Sequence, residues 1–143
     1  MSKEPADSCA CREKASGSKA GSALQPVSPS AFLIRPATHA DAAVLAALVR
    51  ELAVFENLEH ECLLTPEAVT EHLLGLNRSA EALVAEIDGV AAGFAVYYRT
   101  FSTFAARPGV YLEDLYVRPA FRHRGLGAAL LRHVGAIAAR NKA

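Results

Sequence analysis

Apolar residues recur every three or four positions in three stretches of the chain, which predicts three helices. The first covers about 39–53 and begins with a capping box formed by Thr38 and Asp41. The second begins at Thr65–Pro66, a cap followed by the proline that favours a first helical position. The third covers 125–140. The apolar faces are Leu45, Leu48, Val49 and Leu52, then Val69, Leu73 and Leu76, then Leu126, Leu130, Val134 and Ile137.

Four further segments are short and rich in apolar residues, which predicts strands. Asp88–Gly89 separates two of them and is a strong signal for a two-residue hairpin. Along the chain the elements follow the order β, α, α, β, β, β, α, which indicates an α/β fold with helices packed on a sheet. The predicted strands are 32–35, 82–87, 90–99 and 110–117.

The composition is that of one soluble globular domain. The chain has 143 residues, 52% of them hydrophobic, and a formal net charge of +0. This length supports one modest core, and a neutral chain has no bulk attraction to nucleic acid or to a membrane surface. No apolar run reaches the roughly 18 to 20 residues of a membrane span. No signal-peptide core is visible, so we expect a cytoplasmic protein.

Residues 1–30 differ from the rest of the chain. They contain seven serines and three prolines, and Leu24 and Val27 are almost their only bulky aliphatic residues. The apolar area that these residues could bury is too small to offset the conformational entropy that they would lose on folding. We therefore predict a disordered N-terminal extension over 1–30 and a single domain over 31–143.

The cysteines and histidines predict no metal site and no disulfide framework. Cys9, Cys11 and Cys62 are too few and too poorly spaced for either. The five histidines form no pair on a shared helix face. Nucleic-acid binding is also disfavoured, because the chain is neutral and no aromatic stacking platform accompanies its arginines.

A glycine-rich loop joins the predicted strand 110–117 to the predicted helix 125–140. It reads Arg122-His-Arg-Gly125-Leu-Gly127. Glycines at the first turn of a helix let the backbone approach a ligand, and the N–H groups there attract phosphate oxygens. The spacing differs from the dinucleotide and Walker patterns, which disfavours NAD and ATP. These six residues alone leave open an ordinary turn without a ligand.

This loop and the strand before it resemble the acetyl-CoA-binding motif of the GNAT superfamily of N-acetyltransferases. Segments 32–38, 51–56 and 111–117 also resemble, in the same order, its diamine (spermidine/spermine) and thialysine acetyltransferase branch. The resemblance covers about Phe32 to the end of the chain. It implies the GNAT fold, with a mixed, mostly antiparallel sheet, and direct transfer of acetyl from acetyl-CoA to the primary amine of a small molecule.

The resemblance also implies how the cofactor is held. Backbone groups of the strand would pair with the pantetheine amides, and N–H groups of the loop would hold the pyrophosphate, with arginines adding countercharge. The N–H of Leu115 would donate to the thioester oxygen as negative charge develops there. The predicted cofactor-binding residues are Leu115, Tyr116, Val117, Arg122, His123, Arg124, Gly125, Leu126, Gly127 and Ala128.

Glu113 is the predicted general base. An amine with a lysine-like pKa near 10.4 is almost fully protonated at pH 7, so attack requires proton removal. Strand alternation would place Glu113 on the same face as Leu115 and Val117, with Asp114 pointing the other way. We therefore expect Asp114 to be a hydrogen-bonded or solvated carboxylate without a catalytic role.

The resemblance places the amine acceptor at Phe55, Glu56 and Glu113, with two carboxylates suited to a second positive charge. Without that resemblance, Glu56 belongs to an ordinary solvated cluster at a helix end. Phe104 would add an aromatic wall where polyamine-specific members carry an acidic residue and a tryptophan. This difference weakens spermidine as acceptor and leaves thialysine or another small amine open.

Complete members of the branch act as homodimers. After the helix that corresponds to 125–140 they continue into a fifth strand, and no segment of this sequence up to Ala143 corresponds to that strand. We therefore expect either a truncated product or a chain completed by a partner, with an open sheet edge on 110–117. Two function classes follow. One is an active N-acetyltransferase, and the other is a noncatalytic fragment that binds CoA weakly at most or pairs with other subunits.

Overall fold

The computed structural model describes residues 31–141 and shows a four-stranded antiparallel sheet with helices on both faces. The order of elements along the chain is the predicted one. The strands are β1 (Phe32–Pro36), β2 (Glu81–Ile87), β3 (Val90–Ser102) and β4 (Arg107–Val117), and the helices are α1 (Ala42–Phe55), α2 (Pro66–Val69) and α3 (Leu126–Arg140). The predicted disordered extension lies outside the described residues.

Among residues 31–141, no helix is both long and apolar enough to cross a membrane. The strands lie side by side in the order β1-β2-β3-β4, and every neighbouring pair is antiparallel. In this part of the chain β4 is therefore an edge strand, as the sequence predicts for 110–117.

The start of α1 confirms the predicted capping box. A short 3-10 turn, His39–Asp41, precedes the helix. The Asp41 carboxylate accepts hydrogen bonds from the Thr38 N–H at 2.7 Å and from the Thr38 hydroxyl at 2.9 Å. Arg35 on β1 also donates to Asp41, at 2.7 and 2.8 Å, and pairs with Glu86 on β2. These contacts join the helix start to two strands.

The second helix is shorter and less regular than predicted. The Thr65 side chain caps α2 by accepting from the Ala68 N–H at 3.2 Å. The chain then continues as a π-helical segment, Thr70–Leu74. Gly75 is extended and ends the helical conformation, so the prediction that Leu76 lies on the helix face is wrong, and its side chain is fully exposed.

The sheet separates two apolar cores. Residues of α1 and α2 pack on one face, and α3 packs on the other with its predicted stripe of leucine and valine. The first core contains Leu45, Leu48, Leu52, Val69, Val84, Phe94 and Tyr116. The second contains Leu83, Ala85, Tyr97, Leu126, Leu130 and Val134.

Both hairpins of the sheet are present, but the second is longer than predicted. Asp88 and Gly89 have φ of 52° and 76°, as a tight two-residue turn requires. Pairing of β3 with β4 continues to Ser102 and Arg107, beyond the predicted ends at 99 and 110. Pro108 does not stop β4, because within the described residues this is an edge strand that can accommodate a missing N–H.

A β-bulge interrupts β4 at Glu113. Val96 on β3 pairs with Asp114, and Tyr97 pairs with Leu112, so Glu113 has no partner across the ladder. Two residues of β4 thus occupy the place of one, which breaks the alternation of side chains between the two faces.

Beyond the bulge, β3 and β4 approach each other closely at Gly93. This glycine pairs with Val117. A Cβ at Gly93 would lie 2.5 Å from the Tyr116 carbonyl oxygen and 3.2 Å from the Val117 Cα. Only glycine therefore fits at this position without moving β4.

Candidate active site

A cavity of about 490 Å³ opens where β4 ends and α3 begins. It combines the end of α1, the end of β4 and the loop before α3. The residues that line it are Leu52, Phe55, Glu56, Leu115, Tyr116, Val117, Phe121, Arg122, His123, Gly125, Leu126, Gly127 and Ala128. The structure thus brings the predicted cofactor-binding residues together with Phe55 and Glu56, except that Arg124 does not line the cavity.

The loop before α3 has a backbone suited to an anion. His123 and Gly125 both have positive φ, 62° and 83°. The first α-helical hydrogen bond of α3 runs from the Ala129 N–H to the Gly125 carbonyl at 3.0 Å. The preceding N–H groups of the first turn therefore have no acceptor within the helix, and they lie at the positive end of the helix dipole. Such an arrangement favours a phosphate group.

Gly125 is required for its conformation more than for space. A Cβ built there would meet nothing within 4 Å, yet the φ of 83° lies in the left-handed region. The sequence suggests that a larger residue would block the approach of a ligand to the backbone. Within the chain itself, the structure places the cost in the backbone, because left-handed conformations strain residues that carry a Cβ.

Arg122 joins two sides of the cavity. Its Nε donates to the Val117 carbonyl at the end of β4, at 2.9 Å. Its guanidinium carbon lies 4.7 Å from the ring centroid of Phe55 and 5.7 Å from that of Tyr116. These are cation–π distances. Arg124 instead lies over Phe121, at 5.9 Å from its ring centroid.

The β-bulge breaks the alternation from which the face of Glu113 was predicted. Leu112, Leu115 and Val117 pack together against the core under α3, so Leu112 takes the place that plain alternation assigns to Glu113. Glu113 itself is exposed and does not line the 490 Å³ cavity. Its role as general base stays a prediction.

Asp114 lies closer to the predicted acceptor residues than strand alternation indicates. It is half-buried and lines a neighbouring cavity of about 180 Å³ together with Glu56 and Cys62. Burial raises the pKa of Asp114, and the negative charges of Glu113 and Glu56 raise it further. Among residues 31–141, no salt bridge balances this carboxylate. In the sequence, the one signal for a carboxylate at this site is the adjacent pair Glu113–Asp114. The bulge that positions the pair cannot be recognised from the sequence.

Glu56 connects the two cavities, since it lines both. It follows Phe55 at the end of α1, and both side chains are exposed to solvent. Phe104 lies elsewhere. It is fully exposed in the turn between β3 and β4 and lines neither cavity, so the structure does not bring it to the other predicted acceptor residues.

In the described part of the chain, no three histidine, cysteine, aspartate or glutamate residues are grouped so that they could hold a metal ion. Cys62 is a free, half-buried thiol. The chemistry available at the site is therefore that of carboxylates, arginine and backbone N–H groups. This set suits an anionic ligand at the loop and a cationic one beside Asp114.

Residues 47–143 match the model of the acetyltransferase (GNAT) family. Thialysine N-epsilon-acetyltransferase of Mus musculus is 35% identical over 73% of this chain and 66% of its own length. The Homo sapiens spermidine/spermine N(1)-acetyltransferase-like protein 1 is 31% identical over 80% of this chain and 17% of its own length.

A solved structure, the ribosomal-protein-alanine N-acetyltransferase of Brucella melitensis biovar Abortus 2308, is 26% identical. It superposes with a TM-score of 0.60 over 78% of this chain and 74% of its own. The segment that matches the mouse thialysine N-epsilon-acetyltransferase spans slightly under two thirds of the length of that protein. By its sequence match, its sheet order and the loop before α3, this chain belongs to the acetyltransferase (GNAT) family.

Proposed function

We propose that this chain binds acetyl-CoA and transfers the acetyl group to the primary amine of a small molecule. One observation supports the proposal: the cavity is lined at one side by the loop before α3 with its unpaired N–H groups, and it adjoins a second cavity lined by Glu56 and Asp114. An acyl donor that carries phosphates and an acceptor that carries positive charge match these two ends. The similarity to thialysine N-epsilon-acetyltransferases supports the same reaction.

In this proposal the loop residues hold the phosphates of CoA. The N–H groups from His123 to Ala128 supply hydrogen bonds, and Arg122 and Arg124 supply positive charge. The backbone of Leu115 to Val117 pairs with the pantetheine arm. Because the Val117 carbonyl already accepts from Arg122, that pairing uses the other groups of β4 or displaces the arginine.

The acceptor amine enters beside Glu56, with Glu113 and Asp114 as further carboxylates. Their negative charge attracts a protonated amine, and removal of its proton to a carboxylate, directly or through water, makes the nitrogen nucleophilic. The amine nitrogen then attacks the thioester carbon, the C–S bond breaks, and CoA leaves as its thiolate, which takes up the proton that the nitrogen loses as the amide forms. The Leu115 N–H would donate to the thioester oxygen as charge develops there.

For the acceptor we propose a small amine that carries a second charge, such as a diamine or a thialysine-like amino acid. The names of the mouse and human relatives support these two classes. Phe104 is fully exposed and does not line the cavity, so we assign it no contact with the acceptor. We also propose a cytoplasmic homodimer. Within residues 31–141 the outer edge of β4 has no strand partner, and its part before Leu115, which the pantetheine arm would not use, offers a pairing surface.

The test is calorimetric titration of the 143-residue chain with acetyl-CoA, for wild type and for Gly125→Ala. Loss of the left-handed conformation should weaken binding about tenfold, because forcing a residue with a Cβ into it costs about 1–2 kcal/mol. Gly135→Ala is the matched control. Gly135 lies within α3 with open space around it, and alanine there should leave the affinity unchanged.

Equal affinity of wild type and Gly125→Ala would refute the phosphate-loop assignment, and absence of binding by the wild type would refute the proposed function. Where acetyl-CoA binds, turnover is then measured with a panel of diamines and amino acids. Binding without turnover on every amine would identify a noncatalytic CoA-binding module.

A further inference from the structure

Phe55 has an exposed aromatic ring that is not part of either apolar core. It ends α1, and 61% of its surface is accessible. One face of the ring is nevertheless occupied, because the guanidinium of Arg122 lies 4.7 Å from its centroid. A side chain so exposed gains little from burial, so its contact with the arginine needs another explanation.

The guanidinium of Arg122 is held from three directions. Phe55 lies on one side and the buried Tyr116 on another, at 5.7 Å, while the Val117 carbonyl accepts from its Nε at 2.9 Å. An unrestrained arginine has a large number of rotamers and loses conformational entropy when a ligand orders it. The aromatic contact reduces that loss before any ligand arrives.

We propose that Phe55 is a positioning residue for the cofactor: its ring holds the Arg122 guanidinium at the cavity, ready for a phosphate of CoA. This inference rests on the proposed function and deepens it. Phe55 would then act on the acyl donor as well as on the amine acceptor. Loss of the ring at Phe55 would consequently alter CoA affinity through Arg122.

The test is a double-mutant cycle on the full chain, with acetyl-CoA affinity measured by calorimetry. Phe55→Leu keeps an apolar side chain but removes the ring, and should weaken binding about three- to tenfold. Phe55→Tyr keeps the ring and should bind within about twofold of wild type. In an Arg122→Gln background, Phe55→Leu should have no further effect, because the two residues act as one unit.

The control is Val54→Ala, which truncates a neighbour on α1 that is 51% exposed and does not line the 490 Å³ cavity, and it should bind as wild type does. Equal affinity of Phe55→Leu and wild type, or additive losses in the cycle, would overturn the inference and leave the proposed function standing. No binding by the wild type would overturn both.

A second measurement needs no cofactor. In the free chain, we expect the ring current of Phe55 to shift the NMR signal of the Arg122 Nε–H, because the guanidinium lies 4.7 Å from the ring centroid. This signal should move towards its ordinary position in Phe55→Leu but not in Phe55→Tyr. An unchanged signal in Phe55→Leu would contradict the stacked arrangement directly.

Discussion

Asp41 and Asp114 are two partly enclosed aspartates in opposite electrostatic surroundings. Asp41 is 6% exposed and accepts hydrogen bonds from Arg35 and Thr38. The bonds from Arg35 lower the pKa of Asp41 well below its usual value, although burial acts in the opposite direction. Asp114 is only half-buried, yet burial and two neighbouring glutamates raise its pKa.

We interpret this difference as a difference in the roles of the two carboxylates. A buried carboxylate whose partners are complete stabilises the fold and has no capacity left for a ligand. A carboxylate crowded by like charge destabilises the fold slightly and gains when a cation arrives. The Asp41 region is therefore structural, and the Asp114 region is where we propose that the amine binds.

The largest effect is expected from Asp41→Asn. The substitution removes charge-assisted hydrogen bonds to Arg35, and we expect the free energy of unfolding to fall by about 2–3 kcal/mol. Urea unfolding followed by circular dichroism measures this loss. The control is Asp88→Asn in the tight turn, where asparagine tolerates the φ of 52°, so its stability should stay within about 0.5 kcal/mol of wild type. Equal stability of Asp41→Asn and Asp88→Asn would contradict a structural role for Asp41.

Asp114→Asn should separate binding from stability. We expect the KM for the acceptor amine to rise about tenfold, because one charge-assisted contact is lost, while acetyl-CoA affinity stays unchanged. Stability at pH 7 should rise by less than about 1 kcal/mol, since a crowded charge is removed. Glu59→Gln, which neutralises an exposed carboxylate outside both cavities, is the control. A large loss of stability in Asp114→Asn would make this aspartate structural.

The smallest effect is the opposite response of the two regions to acid. Asp41 has a folded-state pKa below its unfolded value near 3.9, so its stabilisation is complete above that pH and is lost as the pH falls through the folded-state value. The stability difference between wild type and Asp41→Asn should shrink by about 1 kcal/mol from pH 7 to pH 3.

Asp114 has the reverse sign. Its pKa is higher in the folded state than in the unfolded state. The destabilisation caused by its charge therefore develops as the pH rises above the unfolded-state pKa and is complete above the folded-state pKa. The advantage of Asp114→Asn over wild type should therefore be present at pH 7 and vanish near pH 3. Parallel pH profiles for both variants would contradict the comparison.

Local signals in the sequence predicted most of the fold. The Thr38–Asp41 cap, the Asp88–Gly89 turn and the leucine and valine stripe of α3 each act within a few residues, and all three are present in the structure. The loop before α3 was predicted for the same reason, because the glycines that permit its backbone are contiguous in the chain.

Other features depend on contacts between distant segments and were not predictable. The bulge at Glu113 arises from the register of β4 against β3, which no alternation within β4 reveals. The length of the β3–β4 hairpin depends on pairing of Ser102 with Arg107 across a turn that carries no strong signal. The contact of Phe55 with Arg122 joins residues that are far apart in the chain and meet only after α1 packs on the sheet.

The close approach at Gly93 means that the site depends on a residue that never touches a ligand. Any side chain there would push β4 away from β3 and carry Leu115, Tyr116 and Val117 with it. These three residues form one side of the cavity. A sequence in which this position has gained even a methyl group could keep every residue of the loop and still have lost the alignment between loop and strand on which the proposed acyl transfer depends.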